Sequence, residues 1–224
     1  MFQERCRVLE NKRVAPGHFV LKMASPRISR NARPAQFVQI LPGTFLPRPF
    51  SFLTATEKDF SVLYHVVGRG TEILSQTKKG DALSVVGPLG NGFAIGGGRR
   101  VEGGRTAMLV GGGVGIPPLY HLAQKLHGED IHVFLGARNK SLLLCEEDFK
   151  KLDVTLHVTT DDGSKGHRGL VTEMVEDFLY RTTSVGMKKV HRTWSECASS
   201  VIYACGPTPM LKVVSMIDRK YNLP

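Results

Sequence analysis

The chain has 224 residues, 42% hydrophobic and 22% charged, which suffices for two modest domains with real cores. Its formal net charge of +10 comes from dispersed basic residues with no interleaved aromatics, a pattern that argues against nucleic acid and suits phosphate-bearing ligands. The start, MFQERCRVLE, has no apolar run behind its charges, and no segment approaches the roughly 18 uninterrupted apolar residues of a membrane span, so the expected location is the cytoplasm.

Up to about residue 95 the chain reads as short strands, at 37–41, 50–53, 60–67 and 82–86, each rich in β-branched or aromatic residues and bounded by Gly, Pro or Asp. Only residues 71–76 look helical there, with Thr71 placed as the N-cap. This pattern predicts a small antiparallel barrel over residues 1–97. A polar, glycine-rich linker follows at 96–105. The rhythm then changes to strand 107–110, helix 117–127, strands 131–135 and 156–159, helix 170–180, and strand 201–204 running into a last helix. Strands alternating with helices predict a doubly wound parallel sheet, here over residues 104–224. The expected fold class is therefore a β-barrel followed by an α/β domain.

Between the first strand of the second half and its helix lies Gly111-Gly112-Gly113-Val114-Gly115-Ile116, followed by two prolines. Glycines at such a turn let the backbone approach an anion, and the helix start supplies free N–H groups. The spacing departs from G-x-G-x-x-G, and a glycine cluster ending a strand is often only a tight turn. In a strand–turn–helix context it points to the pyrophosphate of a dinucleotide. The next strand ends at Arg138, which suits a 2′-phosphate or simply solvent, while Asp161 and Asp162 after the third strand offer carboxylates for ribose hydroxyls. That chemistry leaves NADH and NADPH both open. Cys205, Gly206 and Pro207 close the final strand, at the sheet edge where ligands collect.

In the first half, Arg48-Pro49-Phe50-Ser51 opens a strand and Gly68-Arg69-Gly70-Thr71 opens the helix. An arginine fork and a helix start are two good ways to hold a pyrophosphate. A flavin further needs a hydroxyl or N–H near its reactive nitrogen and an apolar surface for its ring, for which Ser51, Phe50 and Tyr64 are candidates. The plainer alternative makes Arg48 a surface charge and Phe50 core. Hydride exchange would require both cradles to open on one crevice, because reacting atoms must come within about 3–3.5 Å.

Six ordered stretches resemble the electron-transfer subunits of heteromeric dihydroorotate dehydrogenases, a branch of the ferredoxin–NADP reductase superfamily: 48–51, 64–71, 87–93, 111–119, 160–164 and 203–211. The resemblance runs over nearly the whole chain. It implies FAD at the barrel, with Arg48 on the pyrophosphate and Ser51 at the reactive edge of the flavin. Leu63, Tyr64 and His65 would line the flavin, and Gly70 and Thr71 would cap the phosphates. It also implies NAD(H) in the second domain. Ser51 is one catalytic candidate on this ground; Cys205 is the other from its place at the sheet edge alone, where a lone cysteine is more often buried filler than chemistry. The implied partner is an FMN-containing dihydroorotate dehydrogenase catalytic subunit in pyrimidine synthesis. The family continues into a cysteine-rich tail holding a [2Fe–2S] cluster, but this sequence stops at Pro224. Its four cysteines, Cys6, Cys145, Cys197 and Cys205, are too scattered to replace those ligands or to form a zinc site. Phe50 and the segment 181–200 depart from the branch. The rivals are the flavin subunit of an NADPH–ferredoxin reductase or hydrogenase-type complex, and a non-catalytic nucleotide-binding regulatory module.

Overall fold

The computed structural model describes residues 1–43, 45–95, 106–127, 129–182 and 200–223. The expected linker at 96–105, most of 181–200 and Cys197 lie outside them.

Six strands close an antiparallel barrel: β1 (Phe2–Ala15), β2 (His18–Ala24), β3 (Phe37–Leu41), β4 (Arg48–Ala55), β5 (Asp59–His65) and β6 (Ala82–Leu89). Their order around the barrel is β1-β2-β5-β4-β3-β6, so β1 pairs with both β2 and β6 and no edge is left open. Side chains alternate across each strand, which puts Val38, Phe52, Phe60, Val62, Tyr64 and Val85 in one interior cluster. Burying each of the larger of these contributes about 1.5–3 kcal/mol. Two short helices accompany the barrel. In α1 (Pro26–Arg30), Ser25 Oγ accepts the Ile28 N–H at 3.2 Å, and Pro26 occupies a position where its missing N–H costs nothing. The second, α2 (Arg69–Ser75), starts two residues before the sequence predicts. Gly68 is its cap and Thr71 its third residue, because Gly68 is fully extended and the helical turn begins straight after it.

The second half forms a parallel sheet of β7 (Thr106–Gly112), β8 (Asp130–Ala137), β9 (Thr155–Thr160), β10 (His167–Arg168) and β11 (Val201–Cys205). The order is β10-β9-β8-β7-β11, so the chain winds outward from β7 in one direction and returns to place β11 on its other side. The strand order therefore reverses between β7 and β11. The helices are α3 (Ile116–Ala123), α4 (Glu146–Phe149), α5 (Val171–Tyr180) and α6 (Thr208–Tyr221). Met108, Val110 and Phe134 face Val175 of α5 and Ile217 of α6, whereas Gly111, of opposite parity, packs under Leu119 of α3. Helices thus cover both faces. The α3 helix ends at Ala123, short of the predicted 127.

By contacts the chain divides into Met1–Ala94 with Tyr120–Lys125, and Ile95–Leu119 with Leu126–Pro224. Among the described residues no helix is long and apolar enough to cross a membrane.

Candidate functional site

Within the barrel, the start of β4 and the start of α2 come together. The Arg48 Nε lies 3.1 Å from where a Cβ on Gly70 would stand, so the guanidinium rests on the bare backbone of the first helical turn. Arg48 Nη1 donates to the carbonyls of Leu46 (3.4 Å) and Pro47 (3.3 Å), which folds the side chain back over its own loop. Pro49 is exposed beside it. The arrangement leaves a positive group and a helix start on one surface, a fit for a pyrophosphate.

Thr71 has a different job from the one the sequence suggests. Its Oγ1 accepts the N–H groups of Val67 (2.9 Å) and Gly68 (3.3 Å) and donates to the Gly68 carbonyl (2.9 Å). One donor and two lone pairs are thereby used, so the hydroxyl shapes the turn and has no capacity left for a phosphate.

Strand parity sorts the remaining barrel candidates. Phe52, Val62 and Tyr64 point inward, so Ser51, Leu63 and His65 point outward from neighbouring strands. Ser51 is half-buried. Tyr64, expected to line the flavin, instead sits inside the barrel with its hydroxyl donating to Asn11 Oδ1 at 3.1 Å. Burial pushes its pKa up to about 12, partly offset by Asn11, so it stays a phenol. Phe50 is likewise turned toward the interior, 5.7 Å from the Tyr64 ring. Exposed His65 stacks face to face on His18, with centroids 4.2 Å apart. His18 Nδ1–H donates to the Pro16 carbonyl at 2.7 Å, and burial lowers its pKa.

In the α/β unit the carboxyl ends of β7 and β11 lie side by side, with Gly111 paired to Cys205. The turn after β7 is a single 3-10 turn, Gly113–Gly115, running directly into α3. Its glycines serve distinct ends. A Cβ on Gly115 would stand 2.3 Å from the Cys205 carbonyl oxygen, and one on Gly111 2.8 Å from Leu119 Cδ1. Gly112 and Gly206 make room for Met210, whose Sδ lies 3.4 Å and 3.1 Å from the respective Cβ positions. Only Gly113, at φ +57° with open space around it, combines left-handed backbone with an unobstructed surface, and Val114 beside it is half-exposed. Ile116 is fully buried at the head of α3. That bare, outward-facing peptide at a helix start fits a dinucleotide phosphate. The Cys205 thiol is half-buried, and burial raises its pKa, so it is a neutral thiol and not a thiolate. Pro207 continues the same edge into α6.

Further along that edge, Arg138, Asp161 and Asp162 are all exposed. The Asp161 N–H donates to the Ala137 carbonyl (3.0 Å) and the Asp162 N–H to the Arg138 carbonyl (3.3 Å), tying the two strand ends together. Asp162 Oδ1 accepts the Ser164 N–H at 2.9 Å, and the Ser164 hydroxyl and N–H hold its carboxyl below the usual range. Among the described residues no group of three or more His, Cys, Asp or Glu is placed to hold a metal ion.

The family described as Oxidoreductase NAD-binding domain matches residues 109–216. The dihydroorotate dehydrogenase B (NAD(+)) electron transfer subunit of Caldanaerobacter subterraneus subsp. tengcongensis is 38% identical over 98% of this chain and 78% of its own length. The chain belongs to this family. The corresponding subunit of Desulforamulus reducens is 34% identical over 97% of this chain and 79% of its own. Among solved structures, an NADH-dependent reduced ferredoxin-NADP oxidoreductase, described for flavin-based electron bifurcation, superposes with a TM-score of 0.78. It is 33% identical, over 98% of this chain and 74% of that one. The chain is accordingly an NAD(P)H-linked flavin oxidoreductase that uses FAD and NAD.

In this electron-transfer subunit two contributors escape sequence reading. Asn11 holds the Tyr64 hydroxyl and also donates to the Leu74 and Thr77 carbonyls, and nothing around it in the sequence signals that. Met210 fills the space above Gly112 and Gly206; its place three residues after Pro207, at the head of a helix, was the available signal.

Proposed function

We propose that this chain exchanges hydride with NAD(H) at FAD, and passes electrons between them and an FMN-containing dihydroorotate dehydrogenase catalytic subunit in the cytoplasm. When bound, FAD and NAD(H) supply hydride transfer on the nicotinamide side and electron delivery on the partner side. The protein's own tasks are to bind, orient and exclude water.

In this reading Arg48 and the bare backbone at Gly70 hold the FAD pyrophosphate, with Thr71 keeping that turn in shape. Ser51 offers a hydroxyl to the redox-active edge and His65 an imidazole at the rim, while Leu63, buried on the outward side of β5, presents no open face and serves only as backing. Gly113, Val114 and the start of α3 hold the phosphates of NAD(H), while Gly111, Gly112, Gly115 and Ile116 keep the turn against β11 and α3. Cys205, Gly206 and Pro207 border the nicotinamide as a neutral, compact edge. Asp161 and Asp162 take the ribose hydroxyls, with Arg138 beside them.

The observation that carries the proposal is the Arg48–Gly70 juxtaposition in a chain 38% identical to a named electron-transfer subunit. Its direct test is anaerobic mixing of the purified protein with NADH, then NADPH, while following flavin absorbance, and then with the catalytic subunit and dihydroorotate. Flavin bleaching by NADH, and NAD reduction driven by dihydroorotate only when both subunits are present, are the expected results. A protein that bleaches with NADH yet couples to no dihydroorotate-oxidising partner would sink the pyrimidine assignment. A second reading, the flavin subunit of an NADPH–ferredoxin reductase complex, is favoured by the 33% identity to the bifurcating oxidoreductase. Reduced ferredoxin in place of dihydroorotate tests it.

A further inference from the structure

The stretch from Asp161 to Gly166, between β9 and β10, is made of two aspartates, two glycines, a serine and a lysine, a composition that leaves a free loop many conformations. Here it is closed through one residue. Lys165 is held three times: Thr160 Oγ1 accepts its N–H at 3.0 Å and donates to its carbonyl at 2.8 Å, and its ammonium donates to Glu146 Oε2 at 2.6 Å. Both holders are buried, Thr160 completely at the end of β9 and Glu146 at the start of α4. Burial alone would raise the Glu146 pKa, but hydrogen bonds from Lys150 and Lys165 hold it below the usual range, so it is a carboxylate. The chain is fixed on either side of Lys165 as well. Ser164 Oγ accepts the Lys140 N–H at 2.8 Å, and a Cβ on Gly166 would run into the Val158 carbonyl.

We propose that Thr160 and Glu146 are positioning residues for the dinucleotide, acting through Lys165 to hold Asp161 and Asp162 at the sheet edge. This rests on the ribose reading above and adds residues to it. The argument is one of connectivity. Asp161 and Asp162 are exposed, and the bond from the Ser164 N–H to the Asp162 carboxylate stays inside the loop. Their own N–H groups, bonded to the end of β8, fix where the loop leaves the sheet, and Lys165 fixes where it comes back. A loop pinned at both ends presents its carboxylates already ordered, so taking up a ribose costs less conformational entropy. Glu146 holds two lysines, but only Lys165 belongs to the loop. Lys150 Nζ reaches Glu146 Oε1 at 2.8 Å from the end of the same short helix. The two lysines therefore separate positioning of the loop from neutralisation of a buried charge.

The test uses the full-length, FAD-loaded protein and two readouts. Calorimetry with NAD+ gives a dissociation constant without turnover, and anaerobic flavin reduction by NADH gives a half-saturation concentration and a limiting rate. Lys165→Met should raise the dissociation constant and the half-saturation concentration about threefold, the upper size for a part-exposed ion pair, and leave the limiting rate unchanged. Thr160→Val keeps the shape but drops both hydrogen bonds, and should raise them about tenfold. Lys165→Arg should restore the parental values, and Lys150→Met, which leaves Glu146 paired with Lys165, should alter neither. In a background carrying Asp161→Asn and Asp162→Asn, itself weaker for NAD+, Lys165→Met should add nothing, because its effect runs through those carboxylates. Lys165 is part-exposed, so its variants fold, as a thermal melt checks, and keep the test open if Thr160→Val does not. Parental NAD+ affinity in Lys165→Met, or an equal loss in Lys150→Met, overturns the inference alone. Parental affinity in the Asp161→Asn, Asp162→Asn background overturns the ribose reading together with it.

Discussion

The Arg48 side chain packs over Gly70, with its Nε 3.1 Å and its Cζ 3.6 Å from the position a Cβ there would occupy. The strand that contributes Arg48 and the helix that contributes Gly70 are connected only through β5, so the contact is made by the closed barrel and not by local chain geometry. Two substitutions separate its parts. Arg48→Ala removes the charge and should raise the FAD dissociation constant by about 10- to 100-fold, in line with losing a charge-assisted fork. Gly70→Ala keeps the charge but displaces the guanidinium by a few tenths of an ångström, and should give a smaller loss. Flavin content after purification reports both; an Arg48→Ala protein that purifies fully yellow refutes the assignment.

Ser51 is the outward neighbour of inward-facing Phe50 and Phe52 on β4. Its hydroxyl does not hold the cofactor in the proposed reading; it acts at the reactive edge. Ser51→Ala should therefore leave FAD bound while slowing NADH-driven flavin reduction by about 10- to 100-fold, at or just below the usual loss of one preorganised donor. Stopped-flow absorbance under anaerobic conditions reads the rate. Parental kinetics in the variant would remove Ser51 from the site.

Much of the fold is legible in the sequence. Strand β3 falls at residues 37–41 as the alternation of its side chains requires, and the Val201 strand runs into Cys205 as read. The long first hairpin was not. In β1 only Cys6 and Val8 are fully buried, and most of its other positions carry Arg, Glu, Lys, Gln or Asn, which mask the period-two signal. Helix α1 escaped because it has one turn, although Ser25-Pro26 is a regular helix opening. At the site, the inward turn of Tyr64 followed from its parity with Phe60 and Val62 and was available to a stricter reading. The fit of Gly115 against Cys205 was not, because it depends on β11 choosing β7 as its neighbour, a long-range pairing that no local pattern encodes.

That pairing makes Gly115 a sharp test of the nucleotide turn. A Cβ there would lie 2.3 Å from a backbone oxygen, which no side-chain rotation can relieve. Gly115→Ala should cost about 2–4 kcal/mol of stability and abolish NADH-driven reduction, while FAD uptake by the barrel persists. Gly113→Ala provides the comparison: its strain is only that of a positive φ in open space, about 1–2 kcal/mol, and its effect should be milder. Equal damage from the two would mean that the close approach to Cys205 is not what the turn depends on.

His121 gives the pH dependence its clearest sign. The residue is fully buried in the first unit, its ring 6.2 Å from Phe52, and neither nitrogen has a partner among the described residues. Burial, with a smaller push from Lys125, lowers its pKa from 6.5 to about 4. Above pH 6.5 the imidazole is neutral in both folded and unfolded chains, and contributes no slope. Between 6.5 and 4 the unfolded chain binds a proton that the folded one refuses, so stability falls as pH falls, by up to roughly 3 kcal/mol. Below about 4 both states are protonated and the loss levels off. His121→Leu, of similar volume, removes the titration and two unsatisfied polar atoms, so it should raise the unfolding free energy slightly at pH 7.5 and distinctly more at pH 5. His18 and His157, also lowered by burial, contribute to the same window and are unchanged by the substitution. The quantity that decides is thus the difference between variant and parent, measured by urea denaturation at each pH. If that difference is the same at pH 7.5 and pH 5, the His121 imidazole is reached by solvent and its burial carries no proton linkage.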